Sequence, residues 1–558
     1  MDFIQYIKLI KFSNAKEAHK LNVTLAKGYR YILKNKNLVV DQLIQDICTR
    51  ELEAVNKYST RKIFGNLSLR DLSLYKSQVV TNALFNSFYF NRVISFYYAK
   101  NSFFVFPIKK EWDLIFEDHG IKTNVKAGRI LWLIFIFLLT VRQFLNFMRD
   151  ISFGMHNFKS KSTHAVQNLK QNSIYFCNLG KSNISCNMKD RKERNFVNWY
   201  TQNIASENFT NIYHNVVNLE GSAANYEYGR MPLLIYHKKL FFKSSANEYI
   251  KNLGVAIVFM FKICFKKDDF ALVLFNLGGC IDSANAISNV KFTNLKTVVF
   301  HNSVGSIKPL WAVALERQNV LIDYCFYSTN SEPLDEHQQK KTDALWILAG
   351  WSRYVVFDEL QKQDLQDQLV FQGTVQIAKV LPWWSDIEFD IPDLGKPTIS
   401  LFDTALHNQI YSRSTLNQLG WDSPEIALTY LKAVLEIAEE NNLKVYYKNK
   451  RSRSNEMRND EHFYGVISLL AKFKNSLFEI DDRVAPVRMI ESSFLTISKP
   501  LSTTAVIAKS LGKPSVYFDP TGKLIPTDPS CRGCKVLKSK HELNSFIQNL
   551  LMNAKNSS

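Results

Sequence analysis

The chain has 558 residues, more than one ordinary hydrophobic core organises, so we expect two or three domains. Its composition, 46% hydrophobic and 22% charged, is globular and excludes a largely disordered chain. The 70 Lys and Arg against 51 Asp and Glu give a net charge of +19, which suits nucleotide-linked substrates or an anionic membrane face. Nucleic acid is disfavoured as a partner, because the cations are dispersed and no zinc-finger, RNP or basic-zipper pattern occurs.

Residues 1–165 show helical apolar periodicity, as in NLVVDQLIQDICTRELEAVNKY, and no alternating strand pattern. We therefore expect a helical N-terminal region. Its first residues, MDFIQYIKLIKFSNAKEAHK, lack the apolar core and the cleavage site of a signal peptide. A cytoplasmic protein is the expectation that follows.

Residues 128–150, GRILWLIFIFLLTVRQFLNFMRD, contain an uninterrupted apolar run only from Ile130 to Val141. That run is shorter than the roughly 20 residues that cross a bilayer as a helix. Arg142 interrupts the pattern, and further arginines flank it. Two interpretations stay open. The segment is either a helix in the headgroup region, holding the protein at the inner face of the plasma membrane, or a wholly buried core helix.

A polar stretch, NFKSKSTHAVQNLKQNS, predicts a linker over Asn157–Ser173. Beyond it, short apolar runs alternate with helical patterns, which is typical of parallel α/β architecture. The predicted strands or strand-like core runs of this first α/β domain, residues 166–390, are SIYFCNLG, VAIVFMFKICF, FALVLFNLGG, TVVFHNSVG, VLIDYCFYSTN and RYVVFDE. Between the fourth and fifth runs, PLWAVALERQN predicts a helix with Pro309 at its first turn.

A second α/β domain is predicted over residues 391–558, beyond the connection VLPWWSDIEFDIPDLGKP. Its predicted strands are TISLFDTA, LKVYYKNK, FLTISKP and KPSVYFDP. SPEIALTYLKAVLEIAEENN predicts an amphipathic helix with Ser423 as its N-cap and Pro424 at its first position. The predicted fold class is therefore α/β, with two Rossmann-like domains preceded by a helical region.

The stretch ISKPLSTTAVIAKSLGKPSVYFDP places Ser502, Thr503 and Thr504 between a predicted strand and a predicted helix. In a doubly wound sheet, unpaired N–H groups and the positive end of the helix dipole converge at such a point on an anion. Hydroxyl groups add donors for phosphate oxygens. The alternative is ordinary helix capping, since Ser and Thr are favoured N-caps in any helix.

Charged residues follow other strand ends of the same domain. Lys448 and Arg451 close the predicted strand KVYYKNKR, and Lys499 lies beside the hydroxyl residues. These cations are candidates for neutralising phosphate, although a solvated basic loop has the same composition. Asp403 ends the strand ISLF and either accepts a sugar or ribose hydroxyl or caps the following turn.

In the first α/β domain, His301 follows the strand TVVF and is the candidate general base for an acceptor hydroxyl, with a structural turn His as the alternative. Glu316, within a predicted helix, is a weaker catalytic candidate. Ser328, Thr329 and Asn330 end the next strand and are expected to line the acceptor side of the crevice.

Several motifs are absent from the sequence. It contains no GxxxxGK[ST] loop, no GxGxxG after a strand, no GxSxG elbow and no HExxH. The eight cysteines are scattered, and CRGC at Cys531–Cys534 has no second pair or His cluster, so we interpret it as a loop coincidence. We expect neither a metal nor a cofactor.

With these residues in view, the second half resembles the PFTS motif proteins of bacterial surface-polysaccharide biosynthesis. The resemblance lies in FHNSVGSIKPLWAVALERQNVLIDYCFYSTN and SKPLSTTAVIAKSLGKPSVYFDPTG, and it extends from about Asn294 to the end of the chain. The family's Pro-Phe-Thr-Ser is here Pro500-Leu501-Ser502-Thr503. The first ~165 residues resemble no family that we can name.

The resemblance implies a GT-B-like fold, with two facing Rossmann domains, and a glycosyltransferase that moves a sugar from a nucleotide-sugar to a polysaccharide or lipid-linked glycan. It implies donor phosphates at Ser502, Thr503 and Thr504 and a leaving group neutralised by Lys448 and Arg451. Donor nucleotide, sugar and acceptor stay open. The alternative is a non-catalytic module of the same shape that binds glycan or partner enzymes.

Overall fold

The computed structural model describes much of the chain. The described residues are 24–25, 27–28, 31–32, 37–64, 66–85, 88–157, 172–177, 179, 196–205, 207, 209, 211–214, 225–228, 231–235, 246–263, 267–301, 307–329, 344–367, 373–378, 391–402, 421, 424–448, 460–481 and 484–556.

The N-terminal region is helical, as predicted, with one short antiparallel strand pair that the sequence analysis did not anticipate. Its elements are α1 (Asn37–Asn56), β1 (Lys62–Phe64), β2 (Leu67–Ser68), α2 (Leu69–Phe85), α3 (Phe88–Lys100), α4 (Asp113–Asp118) and α5 (Val125–Asn157). Buried Glu51 joins three of its segments, because its carboxylate accepts hydrogen bonds from Ser77, Lys109 and Trp112. A carboxylate with these partners is tolerated in the apolar core around it.

The helical region packs directly on the first α/β domain. The Gln78 amide donates to the Leu348 carbonyl at 2.7 Å, and Arg317 pairs with Asp71 at 2.7 Å. Apolar residues of α2 and α5 share one core cluster with residues of the α/β domain, including Phe147 and Leu277. The region is therefore anchored to that domain by buried polar and apolar contacts.

The first α/β domain contains one eight-stranded sheet. Its elements are β3 (Ser173–Cys177), α6 (Phe196–Asn203), β4 (Asn211–His214), β5 (Asn225–Tyr228), β6 (Met231–Ile235), α7 (Ala246–Ile263), α8 (Lys267–Phe275), α9 (Leu277–Thr293), β7 (Leu295–His301), α10 (Leu310–Glu316), β8 (Leu321–Cys325), β9 (Arg353–Val356), α11 (Glu359–Gln366) and β10 (Thr374–Ile377). The strand order is β10-β9-β8-β7-β3-β4-β6-β5, and every pair is parallel except β5 with β6. The chain order therefore reverses between β3 and β7, as in a doubly wound fold.

The second α/β domain has a six-stranded, wholly parallel sheet. Its elements are β11 (Thr398–Phe402), α12 (Pro424–Glu440), β12 (Lys444–Lys448), α13 (Asp460–Lys472), β13 (Leu477–Ile480), α14 (Pro486–Glu491), β14 (Leu495–Ser498), α15 (Thr503–Ser510), β15 (Ser515–Phe518), β16 (Lys535–Leu537) and α16 (Lys540–Asn556). The order β13-β12-β11-β14-β15-β16 is the Rossmann order 3-2-1-4-5-6. The predicted α/β class with two Rossmann-like domains is confirmed.

Two predicted strand-like runs are helices instead. VAIVFMFKICF overlaps α7, and FALVLFNLGG overlaps α8 and the start of α9. Both runs are apolar in every direction, so their periodicity does not distinguish a buried strand from a helix. Runs bounded by β-branched residues and turn residues, such as TVVFH and VYYK, do form strands.

Helix α5 is buried on one side only. Its segment Val125–Arg149 is the single helix in the described part of the chain that is long and apolar enough to cross a membrane. The bent pair of α8 and α9 passes the same test only when the two are taken together. One side of α5 is buried in the core, with Leu131, Leu139 and Phe147 at 9% exposure or less, while its other side is exposed. The wholly buried interpretation is therefore wrong.

Candidate functional site

The second sheet has its topological switch point between β11 and β14. These strands are neighbours, yet the chain leaves them toward opposite sides of the sheet. Ligands of open α/β sheets bind outside the carboxyl ends of the strands at such a point. The stretch that follows Ser498, the last residue of β14, lies there.

A tight turn carries the chain from β14 to α15. The amide of Ser502 donates to the Lys499 carbonyl at 3.2 Å, with Pro500 and Leu501 between them. Leu501 has a φ of 60°, a left-handed conformation that costs a large side chain on the order of 1–2 kcal/mol. Proline followed by positive φ is the signature of a type II turn. The motif departs from regular geometry directly beside the candidate phosphate site.

The predicted hydroxyl residues cluster at the start of α15. Ser502 is the N-cap residue but makes no side-chain cap hydrogen bond. The Thr504 hydroxyl instead lies 2.9 Å from the Ser502 hydroxyl and 2.8 Å from the Ser498 hydroxyl. Ordinary capping by Ser502 therefore does not explain the cluster. Hydroxyls at a helix amino terminus form an arrangement suited to an anion.

The two predicted lysines of this domain are both buried. Lys448 ends β12 at the same sheet edge and is 7% exposed. Lys499 is 2% exposed, and its ammonium donates to the Trp421 carbonyl at 2.9 Å. Lys499 therefore serves at least partly to hold Trp421 in place.

Asp519 and Trp421 form a buried group that the sequence analysis missed. The Trp421 indole donates to the Asp519 carboxylate at 2.9 Å, and the Leu524 amide donates to it at 2.7 Å. Asp519 belongs to the FDPTG segment that follows β15, at the carboxyl edge. The sequence signal that could have identified Asp519 is an Asp before a Pro at the end of a predicted strand. The group fixes the loop beside α15.

Three predicted residues, Asp403, Arg451 and Asn330, lie outside the described residues. Asp403 directly follows β11, and Arg451 follows β12 by three positions, so the strand ends adjacent to both are known. Their roles stay predictions.

His301 ends β7, at the switch point of the first sheet, but it is buried. Its ring stacks on Phe196 with centroids 4.0 Å apart and meets the half-exposed Tyr327 edge-on. Burial lowers the pKa of His301 from 6.5 to about 3, so the imidazole is neutral near pH 7. A neutral imidazole is able to accept a proton, although a pKa this low makes it a weak base.

The carboxyl edges of the two sheets meet through Thr329 and Thr503. The Thr329 amide donates to the Thr503 hydroxyl at 3.3 Å, and their two hydroxyls also lie 3.3 Å apart. Ser328 is held beside them, because its carbonyl accepts a hydrogen bond from Gln361 at 3.1 Å. The structure thus brings a predicted acceptor-side residue into contact with a predicted phosphate-binding residue.

A second contact joins the domains nearby. Arg532, in the CRGC segment, hydrogen-bonds the carboxylate of Asp358. Asp358 is also the N-cap of α11 and accepts from the Gln361 amide at 2.8 Å. The two α/β domains are therefore joined by this contact as well as by that of Thr329 with Thr503.

Glu316, the second catalytic candidate, lies away from the crevice between the two sheets. Its carboxylate pairs with buried Lys308 at 2.5 Å and accepts a hydrogen bond from Ser352. Ser352 directly precedes β9, at the amino-terminal edge of the sheet. These contacts are those of a structural ion pair at the edge opposite the crevice.

No metal site emerges from the described part of the chain. Its residues contain no group of three or more His, Cys, Asp or Glu able to hold a metal ion. Cys531 and Cys534 are buried and unbridged, and burial raises the pKa of the Cys531 thiol to about 12. Such thiols are unreactive near neutral pH. Metal independence stays a prediction.

One family model matches the second half of the chain. Residues 273–547 match the model described as "Polysaccharide biosynthesis PFTS motif protein". No curated protein matches the chain. The matched range contains β7, α10, α15 and the whole second domain up to Ile547 in α16.

Solved structures resemble the chain weakly. Sucrose-phosphate synthase from Thermosynechococcus elongatus is 8% identical, with 68% of this chain and 90% of that chain covered and a TM-score of 0.37. Trehalose 6-phosphate synthase from Burkholderia multivorans is 9% identical, with coverages of 68% and 89% and a TM-score of 0.37. MnaA from S. aureus, solved with UDP, is 10% identical, with coverages of 68% and 88% and a TM-score of 0.33. A likeness at this level does not identify a ligand.

Proposed function

We propose, on the premise that residues 273–547 belong to the polysaccharide biosynthesis PFTS motif family, that the protein is a glycosyltransferase. It moves a sugar from a nucleotide-sugar donor to a growing surface polysaccharide or lipid-linked glycan. One observation carries the proposal: the hydroxyl cluster at the start of α15 lies at the switch point of a Rossmann sheet and contacts the first domain through Thr329.

The donor's phosphates would be bound by Ser502, Thr503, Thr504 and the first N–H groups of α15. The bond between the sugar's anomeric carbon and the phosphate oxygen breaks, and a bond from that carbon to the acceptor oxygen forms. The nucleotide leaves with the electron pair, and its charge is neutralised by Lys448 and Arg451 rather than by a metal. We propose that the reaction takes place in the cytoplasm.

His301 is our candidate for accepting the acceptor's proton, at the switch point of the first sheet. This role requires a movement of Phe196 or Tyr327, which lie against the imidazole within the same domain, because burial is what lowers the pKa of His301. Glu316 has no part in this scheme, because it pairs with Lys308 at the other edge.

The second candidate function, a non-catalytic module that binds glycan or partner enzymes, is favoured by the burial of His301 alone. The two functions differ in turnover. A transferase releases nucleotide from its donor, whereas the module binds nucleotide without releasing it, or does not bind it.

The test is nucleotide release from UDP-, GDP-, dTDP- and CMP-linked sugars in the presence of lipid-linked and polysaccharide acceptors and of EDTA, measured by ion-exchange chromatography. Lys448→Met should lower release from the active donor by roughly 100-fold, since it removes a charge at the leaving group. Lys444→Met is the matched control, because Lys444 begins the same strand at its opposite end. Absence of release from every donor, or equal activity of the two variants, would overturn the proposal.

A further inference from the structure

Helix α5 exposes a continuous apolar stripe. Its exposed apolar residues recur at helical spacing along one side of the helix: Ile130, Leu133, Ile134, Phe137, Leu138, Val141, Phe144, Leu145 and Met148. At 1.5 Å per residue, the stripe extends over roughly 27 Å. Contiguous apolar surfaces of this kind mark interaction sites in soluble proteins.

The opposite side of α5 is fixed in the protein. Leu139 belongs to the core of the N-terminal helices, and Phe147 belongs to the cluster shared with α8 and α9. A Cβ added at Gly278 would lie 3.1 Å from the Phe147 side chain, so the helices are in close contact. Because one side is committed to the core, α5 would have to leave that core in order to cross a bilayer. Its geometry fits a helix lying in the plane of an interface.

Helix α7 adds a second apolar surface, which the sequence analysis did not anticipate. Ile250, Val255, Val258 and Phe261 on this helix are 49–70% exposed. Leu253 packs in the same cluster as Phe147. Both helices thus cover the α8–α9 pair and present apolar side chains on their outer sides. We call the stripe of α5 and these residues of α7 the apolar surface.

The charged residues beside the stripe indicate which kind of partner binds the apolar surface. No Asp or Glu occurs in Val125–Arg149, whereas Lys126, Arg142 and Arg149 are exposed beside the stripe. The chain as a whole carries a net charge of +19. Apolar side chains bordered by cations complement an anionic lipid surface. The apolar side chains contact the acyl chains, and the cations contact the anionic headgroups.

We infer that the apolar surface docks the protein on an anionic bilayer, with α5 in the membrane plane. Helix α9 leads directly into β7 through Asn294, so α9 runs antiparallel to the strand and begins near the sheet's carboxyl edge. Phe147 contacts that beginning, at Gly278. The C-terminal end of the stripe therefore lies on the crevice side of the first domain. Resting on the proposed function, this placement indicates a lipid-linked acceptor.

The experiment is co-sedimentation of the full chain with phosphatidylcholine vesicles that contain or lack 30% phosphatidylglycerol (about physiological anionic content). Leu133→Gln/Phe137→Gln/Leu145→Gln should lower binding to the anionic vesicles at least ~10-fold. Tyr464→Gln/Ile467→Gln/Met552→Gln, at exposed positions of the second domain, is the matched control and should bind as the wild type does. Lys126→Gln/Arg142→Gln should weaken binding to anionic vesicles only.

Sedimentation velocity without lipid tests whether a second copy of the chain, rather than a bilayer, covers the apolar surface. Failure of the wild type to bind anionic vesicles, equal loss in both triple variants, or a dimer that only the stripe variant dissociates would overturn the inference. Nucleotide binding is measured on the same preparations. Vesicle binding without nucleotide binding would contradict the proposed function and support the docking surface. Nucleotide binding without vesicle binding would overturn the docking surface and leave the proposed function supported.

Discussion

At the scale of single residues, Leu501 adopts a backbone conformation that favours glycine. Its φ of 60° is disfavoured for any residue with a Cβ, while its side chain packs partly against the cluster around Trp421. Leu501→Gly and Leu501→Ala both remove that packing, but only glycine relieves the backbone. We therefore expect Leu501→Gly to be more stable than Leu501→Ala by about 1 kcal/mol, the reverse of the usual order.

Urea unfolding of the two variants measures this difference. A more stable alanine variant would show that the left-handed turn is not populated in solution.

His301 predicts a pH dependence of stability. Its folded-state pKa of about 3 lies below the ordinary 6.5, so the unfolded chain binds more protons between these values. The contribution of His301 to stability is therefore constant above pH 6.5 and decreases as the pH falls below it, by about 2 kcal/mol at pH 5. His301→Phe, which can still stack on Phe196, should remove this decrease.

Free energies of unfolding measured at pH 7 and pH 5 test this pH dependence. His541→Gln is the control, because it changes an exposed histidine. The wild type and the control should lose about 2 kcal/mol more than His301→Phe between the two pH values. Equal losses in all three proteins would mean that His301 is accessible and titrates normally.

At the scale of elements, the contact between Arg532 and the N-cap of α11 joins the two α/β domains. The Arg532 side chain is 7% exposed, whereas Asp358 is 35% exposed, so solvent screens part of the attraction. Asp358→Asn keeps an acceptor for the Gln361 amide while removing the charge. A double-mutant cycle of Asp358→Asn with Arg532→Gln should show a coupling of about 1 kcal/mol.

Guanidinium unfolding of the four proteins measures the coupling. Additive effects would indicate that the two domains do not hold this contact in solution.

Element prediction succeeded where local chemistry and tertiary packing agreed. The strands β7, β8, β11, β12, β14 and β15 are β-branched runs that end at turn residues, and they were predicted. The strands β4, β10, β13 and β16 have three or four residues and no distinct apolar run, and they were missed. The strand β6 was missed although its sequence MPLLI is apolar. Helices α7 and α8 were taken for strands, since a run that is apolar all round carries no period.

The site was predictable only in part. Shared edges of parallel sheets are sufficient to place Ser502, Thr503 and Lys448 together, and to place His301 and Thr329 on the facing domain. The burial of His301 by Phe196 and the attachment of Lys499 to Trp421 depend on contacts between residues far apart in sequence. The pairing of Glu316 with Lys308 joins residues that are eight positions apart, which is beyond the spacing of neighbours on one helix face. No local pattern contains such contacts.

At the scale of the whole molecule, two Rossmann-like sheets meet at their carboxyl edges, and an apolar helical surface covers one side of the first domain. The arrangement brings the candidate donor site, a facing domain and an exposed apolar surface together in one chain. Each part is explained if a soluble nucleotide-sugar meets an acceptor held at a bilayer. The donor site is the claim on which the proposed function depends.

The most direct test is the thermal stability of the protein with CMP, UDP, GDP and dTDP. Ser502→Ala/Thr503→Ala is compared with Thr429→Ala/Ser510→Ala, a matched loss of two hydroxyls from exposed helix positions in the same domain. We predict that one nucleotide, at 100 times its Kd, stabilises the wild type and the control by about 2.7 kcal/mol and leaves the site variant unchanged. No stabilisation by any nucleotide, or stabilisation that the site variant retains, would contradict the account.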